Sequence, residues 1–256
     1  MSAIGLSLVI ASPLAAAPNR IDQTERCDVL VVGGGLAGVA TAYESLHAGR
    51  TVCLTEMTDW LGGQLTSQGT TALDEARRQR QLDFYAAGYK QLRQRVLEHY
   101  GRQNPGDCWV SAVCFLPADA HEMLVDMLDE AARAGDGQLK WFPSTVVKEL
   151  NIEGSMIAGA LAIQHSPAPE SPPLNSEPLS AVFEDIYRYE DSDRLSKHII
   201  RFEPSGHDGP ADWYVVEATE TGEVIALSGV PYRLGLDPKS YLNPSSPTLT
   251  GDSYCT

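Results

Sequence analysis

The sequence is short of basic residues and of long apolar runs. It has 19 Lys and Arg against 34 Asp and Glu, which gives a formal net charge of -15. Such a chain repels polyanions, which argues against nucleic acid and anionic membrane surfaces as partners. No run of about 18 apolar residues occurs outside the amino terminus, so we predict no stable membrane insertion. The 256 residues can bury a sizeable core as one large or two small domains.

The five cysteines are too few for a disulfide framework in a chain of this length. Cys27 and Cys53 lie beside or within predicted core strands, so we expect them to be small buried apolar side chains. Cys108 and Cys114 are expected on one face of a strand, too far apart to bond unless the chain bends. A redox dithiol at that pair is the weaker alternative. The six histidines show no H-x-H or H-E-x-x-H pattern, so no metal site is predicted.

The amino terminus has two interpretations. Residues 3–17 are apolar and end in Leu14-Ala15-Ala16-Ala17, similar to the core and cleavage site of an export signal. A signal peptide requires basic residues before its apolar core, and no Lys or Arg precedes this segment. The segment is therefore either the remnant of a signal, which implies an exported or periplasmic protein, or a disordered tail on a cytoplasmic one. In both cases we expect residues 1–24 to lie outside the fold.

Residues 28–56 have the order of a strand, a glycine-rich turn, a helix and a second strand. The apolar run Val29–Val32 leads into the turn, and Glu56 closes the second strand. This order is typical of dinucleotide-binding βαβ units, in which glycines let a pyrophosphate approach the N-terminus of the helix. The acid would accept hydrogen bonds from a ribose diol; a merely structural glycine turn is the weaker alternative. We predict cofactor contacts at Gly33, Gly34, Gly35, Leu36, Ala37, Gly38 and Glu56.

A second glycine segment, residues 60–69, begins a few residues after Glu56. Its glycine pair lets the backbone approach a bulky ligand, and the polar residues that follow can hydrogen-bond that ligand. NAD-linked dehydrogenases have little need of such a segment, whereas an extended FAD passes this point. We predict that Gly62, Gly63 and Gln64 line the phosphate and ribityl path, and that Thr66 and Ser67 reach the edge of the flavin ring.

These segments, with a strand that ends in Ala218-Thr219-x-x-Gly222, resemble the FAD-dependent oxidoreductases of the glutathione-reductase-like class. The likeness covers about residues 26–165 and 211–256 and includes the stretch from Gly229 to Gly235. It implies an α/β fold: a Rossmann-like FAD-binding domain with a parallel sheet, flanking helices and a small antiparallel β-meander. It also implies FAD as the cofactor, with further contacts from Ala218, Thr219 and Gly222. Val146 and Val147 either touch the adenine or are plain core valines.

The resemblance implies an enzyme that transfers hydride between a small organic substrate and the flavin, with an electron acceptor to complete the cycle. Arg233 is a candidate for binding a substrate anion, and no residue is assigned as a catalytic acid or base. Two alternatives stay open: a non-catalytic fragment or remnant with weak FAD affinity, and an NAD-binding domain. The strand that usually closes such a sheet is not recognisable before Thr256. We therefore expect the fold to be incomplete at its carboxyl end.

Further periodic segments complete the expected order of elements. We predict one amphipathic helix over residues 73–100 and a second from Asp119, where Glu122 forms a capping box. A third parallel strand, Leu139–Phe142, and a hairpin around Asn151-Ile152-Glu153-Gly154 follow.

The domain boundaries follow from composition. Residues 25–165 are expected to form the main part of the FAD-binding domain. Residues 166–210 are rich in Pro and Ser and then acidic, which predicts a solvated insertion. Residues 211–256 would supply a return strand to the domain and the start of a truncated region.

Overall fold

The computed structural model describes residues 20–206, 213–232, 239–241 and 244. Over these residues the chain forms two four-stranded sheets flanked by helices, which confirms the predicted α/β fold class. The strands are β1 (Gln23–Cys27), β2 (Val29–Val32), β3 (Thr51–Thr55), β4 (Gln138–Phe142), β5 (Thr145–Glu153), β6 (Met156–Pro167), β7 (Leu195–Pro204) and β8 (Tyr214–Glu217). The helices are α1 (Leu36–His47), α2 (Arg77–Leu82), α3 (Ala87–Tyr100), α4 (Pro117–Gly135), α5 (Phe183–Ile186) and α6 (Glu223–Ser228).

The parallel sheet has the order β4-β3-β2-β8 and positions the glycine-rich turn. All four residues of β2 are buried because both faces of the sheet are covered. Val29 and Val31 pack into the core formed with α1 and α4, whereas Leu30 and Val32 pack into the core shared with the second sheet. The continuous apolar run in the sequence reflects this double burial. The predicted third parallel strand is confirmed as β4, paired with β3.

The second sheet has the order β1-β7-β6-β5, in which β5, β6 and β7 form the expected antiparallel meander. The predicted hairpin is confirmed, although its turn lies between Glu153 and Met156, slightly later than expected. Strand β1 pairs in parallel with β7. It begins at Gln23, whereas the sequence predicted that residues 1–24 lie outside the fold, so the predicted tail extends two residues too far. Strand β7 likewise lies inside the predicted insertion of residues 166–210. The segment between β6 and β7 is therefore only residues 168–194.

The predicted helix over residues 73–100 is two helices. Asp83 has a left-handed backbone (φ 48°) and ends α2, and extended Ala86 precedes α3. Tertiary burial explains the break: α3 buries Leu92 and Val96, while α2 buries no residue. Helix α4 begins at Pro117 rather than after Asp119, because a proline suits the first helical position and lacks the N–H that has no partner there. No capping box forms at that end.

Cys27 and Cys53 are buried in the core as predicted, but the prediction that they are unbonded was wrong. Cys27 and Cys53 form a disulfide across a Cα separation of 5.9 Å, which joins β1 of one sheet to β3 of the other. Cys108 and Cys114 form a second disulfide because the chain does bend. Asn104 supports that bend: its side chain accepts from the Cys108 N–H (2.8 Å) and donates to the Cys108 carbonyl oxygen (3.0 Å).

Membrane-spanning helices and metal clusters are both absent from the described residues. In that part of the chain no helix is long and apolar enough to cross a membrane. No group of three or more His, Cys, Asp or Glu side chains there has the arrangement of a metal site.

Candidate functional site

The glycine-rich turn between β2 and α1 is a close-packed backbone structure. Gly33 has φ +101°, and a side chain on it would overlap the backbone of Ala218 at the end of β8. A side chain on Gly38 would overlap the carbonyl oxygen of Gly33, so helix and turn touch directly. A non-glycine residue at either position would push these elements apart. Gly35 differs, because its open side has only the Glu220 Oε1 atom nearby, 3.4 Å from where a Cβ would stand.

The second glycine segment lies against this turn. The Gly62 N–H donates to the Gly34 carbonyl oxygen (2.8 Å), and a Cβ on Gly63 would lie 3.1 Å from the Gly35 Cα. Gly62 and Gly63 both have positive φ, 112° and 53°, which glycine adopts at little cost. Tertiary packing thus joins the two segments that the sequence predicted separately.

A histidine of α4 holds the start of the second glycine segment. The Leu61 N–H donates to Nδ1 of His121 (3.0 Å), and the His121 ring stacks on Trp60 with a centroid separation of 5.8 Å. Burial lowers the pKa of His121, which agrees with a neutral ring that accepts at Nδ1. Sequence analysis did not single out this histidine because it lies in a helix far along the chain.

Glu56 links the glycine turn to the end of β3. Its Oε2 accepts from the Gly34 N–H (2.7 Å), and its Oε1 accepts from the N–H and hydroxyl of Thr58 (3.1 Å each). Burial raises the pKa of Glu56, and the hydrogen bonds from Gly34 and Thr58 offset part of that effect. The carboxylate is therefore held in place before any ligand arrives.

A cleft of about 600 Å³ runs past these groups. Its walls come from the ends of β2, β3 and β8, the start of β5, and both glycine segments. It is therefore at the carboxyl ends of parallel strands, where ligands bind in open α/β sheets. The predicted site residues that line it are Gly33, Gly35, Glu56, Gly63, Ser67, Val146, Ala218 and Thr219.

The other predicted site residues do not line the cleft. Thr66 is buried and its hydroxyl donates to the Leu61 carbonyl oxygen (2.7 Å), so it shapes the loop instead of facing a ring. Val147 packs in the core between the sheets, so of its two predicted roles it has that of a plain core valine. The other predicted site residues that do not line the cleft are Gly34, Leu36, Ala37, Gly38, Gly62, Gln64 and Gly222. Arg233 lies outside the described residues.

The strand end Ala218–Gly222 is organised by its own side chains. The Thr219 hydroxyl accepts from the N–H groups of Gly222 (2.8 Å) and Glu223 (3.3 Å), which caps α6. Glu217 accepts from the Thr219 N–H (2.6 Å) and the Val224 N–H (2.5 Å). Thr219 therefore lines the cleft, while its hydroxyl accepts hydrogen bonds from backbone N–H groups of this turn.

Sequence analysis missed the strong acidity of the cleft. The acids that line it are Glu56, Asp59, Glu177, Glu220 and Glu223, and none of the described residues lining it is Lys or Arg. Burial raises the pKa of Glu223, with the nearby Glu217 and Glu56 carboxylates adding to the effect. These acids come from three separate segments of the chain, so no local motif could have revealed the cluster.

A family model described as FAD dependent oxidoreductase matches residues 28–166. The match covers more than half of the chain and includes the glycine turn, Glu56, the second glycine segment and the hairpin. The chain belongs to this family. The predicted enzyme class and its cofactor, FAD, are thereby confirmed. No protein of curated function matches the chain by sequence.

Solved structures of low sequence identity are also similar to the chain. THI4 of Thermovibrio ammonificans is 13% identical with a TM-score of 0.42, over 83% of this chain and 67% of that one. OxyS anhydrotetracycline hydroxylase of Streptomyces rimosus is 15% identical with a TM-score of 0.43, over 84% and 36%. The p-nitrophenol 4-monooxygenase PnpA of Pseudomonas putida DLL-E4 is 14% identical with a TM-score of 0.40, over 84% and 46%. The chain spans less than half the length of the last two, and likeness at this level assigns no substrate.

The cleft fits the family's cofactor in the features that the backbone controls. The open side of Gly35 leaves room where a side chain would otherwise stand, and Gly63 packs against Gly35 more closely than a side chain would allow. The first turn of α1 has N–H groups without intrahelical partners. Glu56 stands at one end of this backbone surface with both carboxylate oxygens fixed. The acidic lining opposes the fit, because it places like charge beside a pyrophosphate.

Proposed function

We propose that this family member holds FAD along the cleft and transfers hydride between a small organic substrate and the flavin. The observation that carries the proposal is the contact between the two glycine segments that line the cleft, beside Glu56. Backbone amides and the positive end of the α1 dipole favour an anion at that point, although no basic side chain is present among the described lining residues.

The described residues would take separate roles along the cleft. Gly35 and Gly63 would admit the pyrophosphate to the backbone, and Glu56 would accept hydrogen bonds from the adenosine ribose. Val146, at the start of β5, would contact the adenine, and Ser67 remains a candidate for the ring end. Bound flavin supplies the hydride-accepting ring, while the protein contributes orientation and electrostatics.

The substrate, the electron acceptor and the activity of the whole protein belong to the same proposal. The second candidate is a nucleotide-binding chain with weak FAD affinity and no turnover, which the acidity of the cleft favours. An NAD-binding role is disfavoured by the second glycine segment and by the family match.

A titration followed by a reduction assay tests the proposal. Isothermal calorimetry should show saturable binding of FAD, tighter than that of NAD. The FAD-loaded protein, mixed without oxygen with panels of small alcohols, amines and hydroxy acids, should lose its visible flavin absorption with at least one class. Tight FAD binding without any reduction would favour the non-catalytic candidate, and tighter NAD binding would overturn the proposal.

A further inference from the structure

The segment between β6 and β7, residues 168–194, covers one side of the cleft, and we call it the strap. It contains one short 3₁₀ turn, Leu179–Ala181, and the four-residue helix α5. Its two ends are held together, because the Ala168 N–H donates to the Arg194 carbonyl oxygen (2.9 Å). The family match ends at residue 166, so the strap lies outside the matched residues.

Two side chains of the meander, His165 of β6 and Lys197 of β7, hold the base of the strap. The two ring nitrogens of buried His165 lie against the carbonyl oxygens of Ser144 and Ile186. The buried Lys197 side chain pairs with the Asp185 carboxylate at 3.3 Å and also donates to the Asp185 carbonyl oxygen. Buried polar groups with several partners fix a segment in one arrangement. The strap is therefore an ordered part of this fold.

Two further contacts attach the strap to two segments that line the cleft. Asn175 donates to the carboxylate of Asp59, which follows β3. The Tyr187 hydroxyl hydrogen-bonds the carboxylate of Glu223 in α6. The strap thus contacts both the segment after Glu56 and the segment after β8.

The part of the strap that faces the cleft is apolar with polar neighbours. Leu174 and Leu179 pack against the hydrophobic cluster that contains Val146 and contact the side of the cleft where Met57 also lies. Asn175 and Glu177 line the cleft beside them. A flat heterocycle with polar edges fits apolar walls that carry a few hydrogen-bonding groups.

We propose that the strap is the outer wall of the adenosine end of the FAD site, with Leu174 and Leu179 against the base beside Val146. The inference rests on the proposed position of the adenosine ribose at Glu56, which lies in the same stretch of the cleft as Met57 and Val146. The strap determines how tightly the adenosine half is held, whereas Gly35 and Gly63 would hold the pyrophosphate.

ADP is the probe for this proposal, since it carries the adenosine and the diphosphate without the flavin. Its dissociation constant can be measured by calorimetry or by the fluorescence of Trp60, which lines the cleft. The double variant Leu174→Ala/Leu179→Ala should weaken ADP by about tenfold, equal to about 1.4 kcal/mol. Val182→Ala is the matched control: Val182 packs in the same cluster but does not line the cleft, so ADP affinity should stay within about twofold.

A second measurement needs no variant and does not depend on how well the double variant folds. Trypsin can cut after Arg188, inside the strap, and saturating ADP should slow that cut if the strap contacts the ligand. Cleavage at Arg102, in a loop that does not line the cleft, serves as the internal reference. Unchanged or tighter ADP binding by the double variant, with no protection at Arg188, would overturn the strap proposal.

The outcome also separates this inference from the proposed function. If Glu56→Ala weakens ADP but the strap variants do not, the adenosine site stands and the strap is only a surface loop. If the unaltered chain binds neither ADP nor FAD, both proposals fail together.

Discussion

Glu56 accepts hydrogen bonds from two backbone N–H groups and one hydroxyl while it stands at the edge of the cleft. We predict that Glu56→Ala weakens FAD by about 1–3 kcal/mol, the range for a hydrogen bond to a charged group. Glu56→Gln should cost less, because its amide oxygen can still accept one of the bonds. Calorimetric titration of all three proteins gives the comparison.

Glu153→Gln, an exposed acid at the hairpin end, controls for the change in net charge. Equal FAD affinity in the Glu56 variants and the unaltered protein would show that the ribose lies elsewhere.

Glu220 stands beside Gly35 and Gly63, the two glycines expected to meet the phosphates. Its Oε1 lies 3.4 Å and 3.3 Å from the positions that a Cβ on Gly35 or Gly63 would take, and it accepts from Gln68 (3.3 Å). Because like charges repel at this range, we predict that Glu220→Gln strengthens FAD binding by about threefold to tenfold. The titration should be run at low and at moderate salt.

In the unaltered protein, added salt should also strengthen FAD binding, since it screens the repulsion between cleft and phosphates. Glu98→Gln, at an exposed position of α3, is the control. Weaker binding by Glu220→Gln would mean that this carboxylate assists the cofactor instead of opposing it.

At the scale of elements, β1 depends on residues that local patterns placed in a tail. The Asp22 N–H donates to the Ile199 carbonyl oxygen (2.9 Å), and the Asp22 carboxylate accepts from the Ile199 N–H (2.8 Å). That backbone hydrogen bond is the main reason why the pKa of Asp22 lies below its ordinary value of 3.8, and Arg20 adds to the effect. Asp22 therefore fastens the start of β1 to the edge of β7.

The stability that Asp22 contributes should depend on pH with a definite sign. A carboxyl group whose folded-state pKa is depressed stabilises the fold above its unfolded pKa and loses that effect as pH falls through the folded value. We predict that Asp22→Asn lowers the free energy of unfolding by about 0.5–1 kcal/mol at neutral pH, a small value because the pair is solvent-exposed. The difference from the unaltered protein should shrink below about pH 3.8.

Urea unfolding at neutral pH and near pH 3 measures both differences. A cost of the same size at both pH values would show that the carboxylate charge contributes nothing to the attachment of β1.

Whether an element could be predicted depends on how far apart in the sequence its interacting residues lie. Strand β2, helix α1 and strand β3 were predictable because their apolar periodicity and glycine turn lie within one short stretch. Strands β1 and β7 were missed because each pairs with a partner about 175 residues away, as the Gln23 and Ile200 register shows. The break between α2 and α3 was missed because the apolar pattern continues through Leu82, which is 65% exposed.

At the scale of the whole molecule, the two disulfides bear on where the protein resides. The Cys27–Cys53 bond joins the two sheets, and both cysteines are fully buried. Disulfides persist in oxidising compartments and are rare in the cytosol, so we propose the exported location over the cytoplasmic one. Peptide mapping after denaturation without reductant should find all four bonded cysteines protected from alkylation, and labelled once the protein is reduced.

Replacing Cys27 and Cys53 together by Ala tests the same bond through stability. Loss of the cross-link should lower the free energy of unfolding by about 2–4 kcal/mol, whereas the surface loop closed by Cys108 and Cys114 should matter less because it is short. Free thiols at Cys27 and Cys53 in protein purified from its native compartment would contradict the exported location.

The sequence by itself determined the family, the cofactor and the glycine-rich turn, because each depends on a few residues at fixed local spacing. It also set the acidic charge of the chain. Only the tertiary structure decided which predicted residues reach the cleft: Val146 lines it, while its neighbour Val147 turns into the core. The acids around the cleft, the disulfides and the strap likewise join segments far apart in the chain. Their proximity arises from packing between two sheets, which no local pattern of residues encodes.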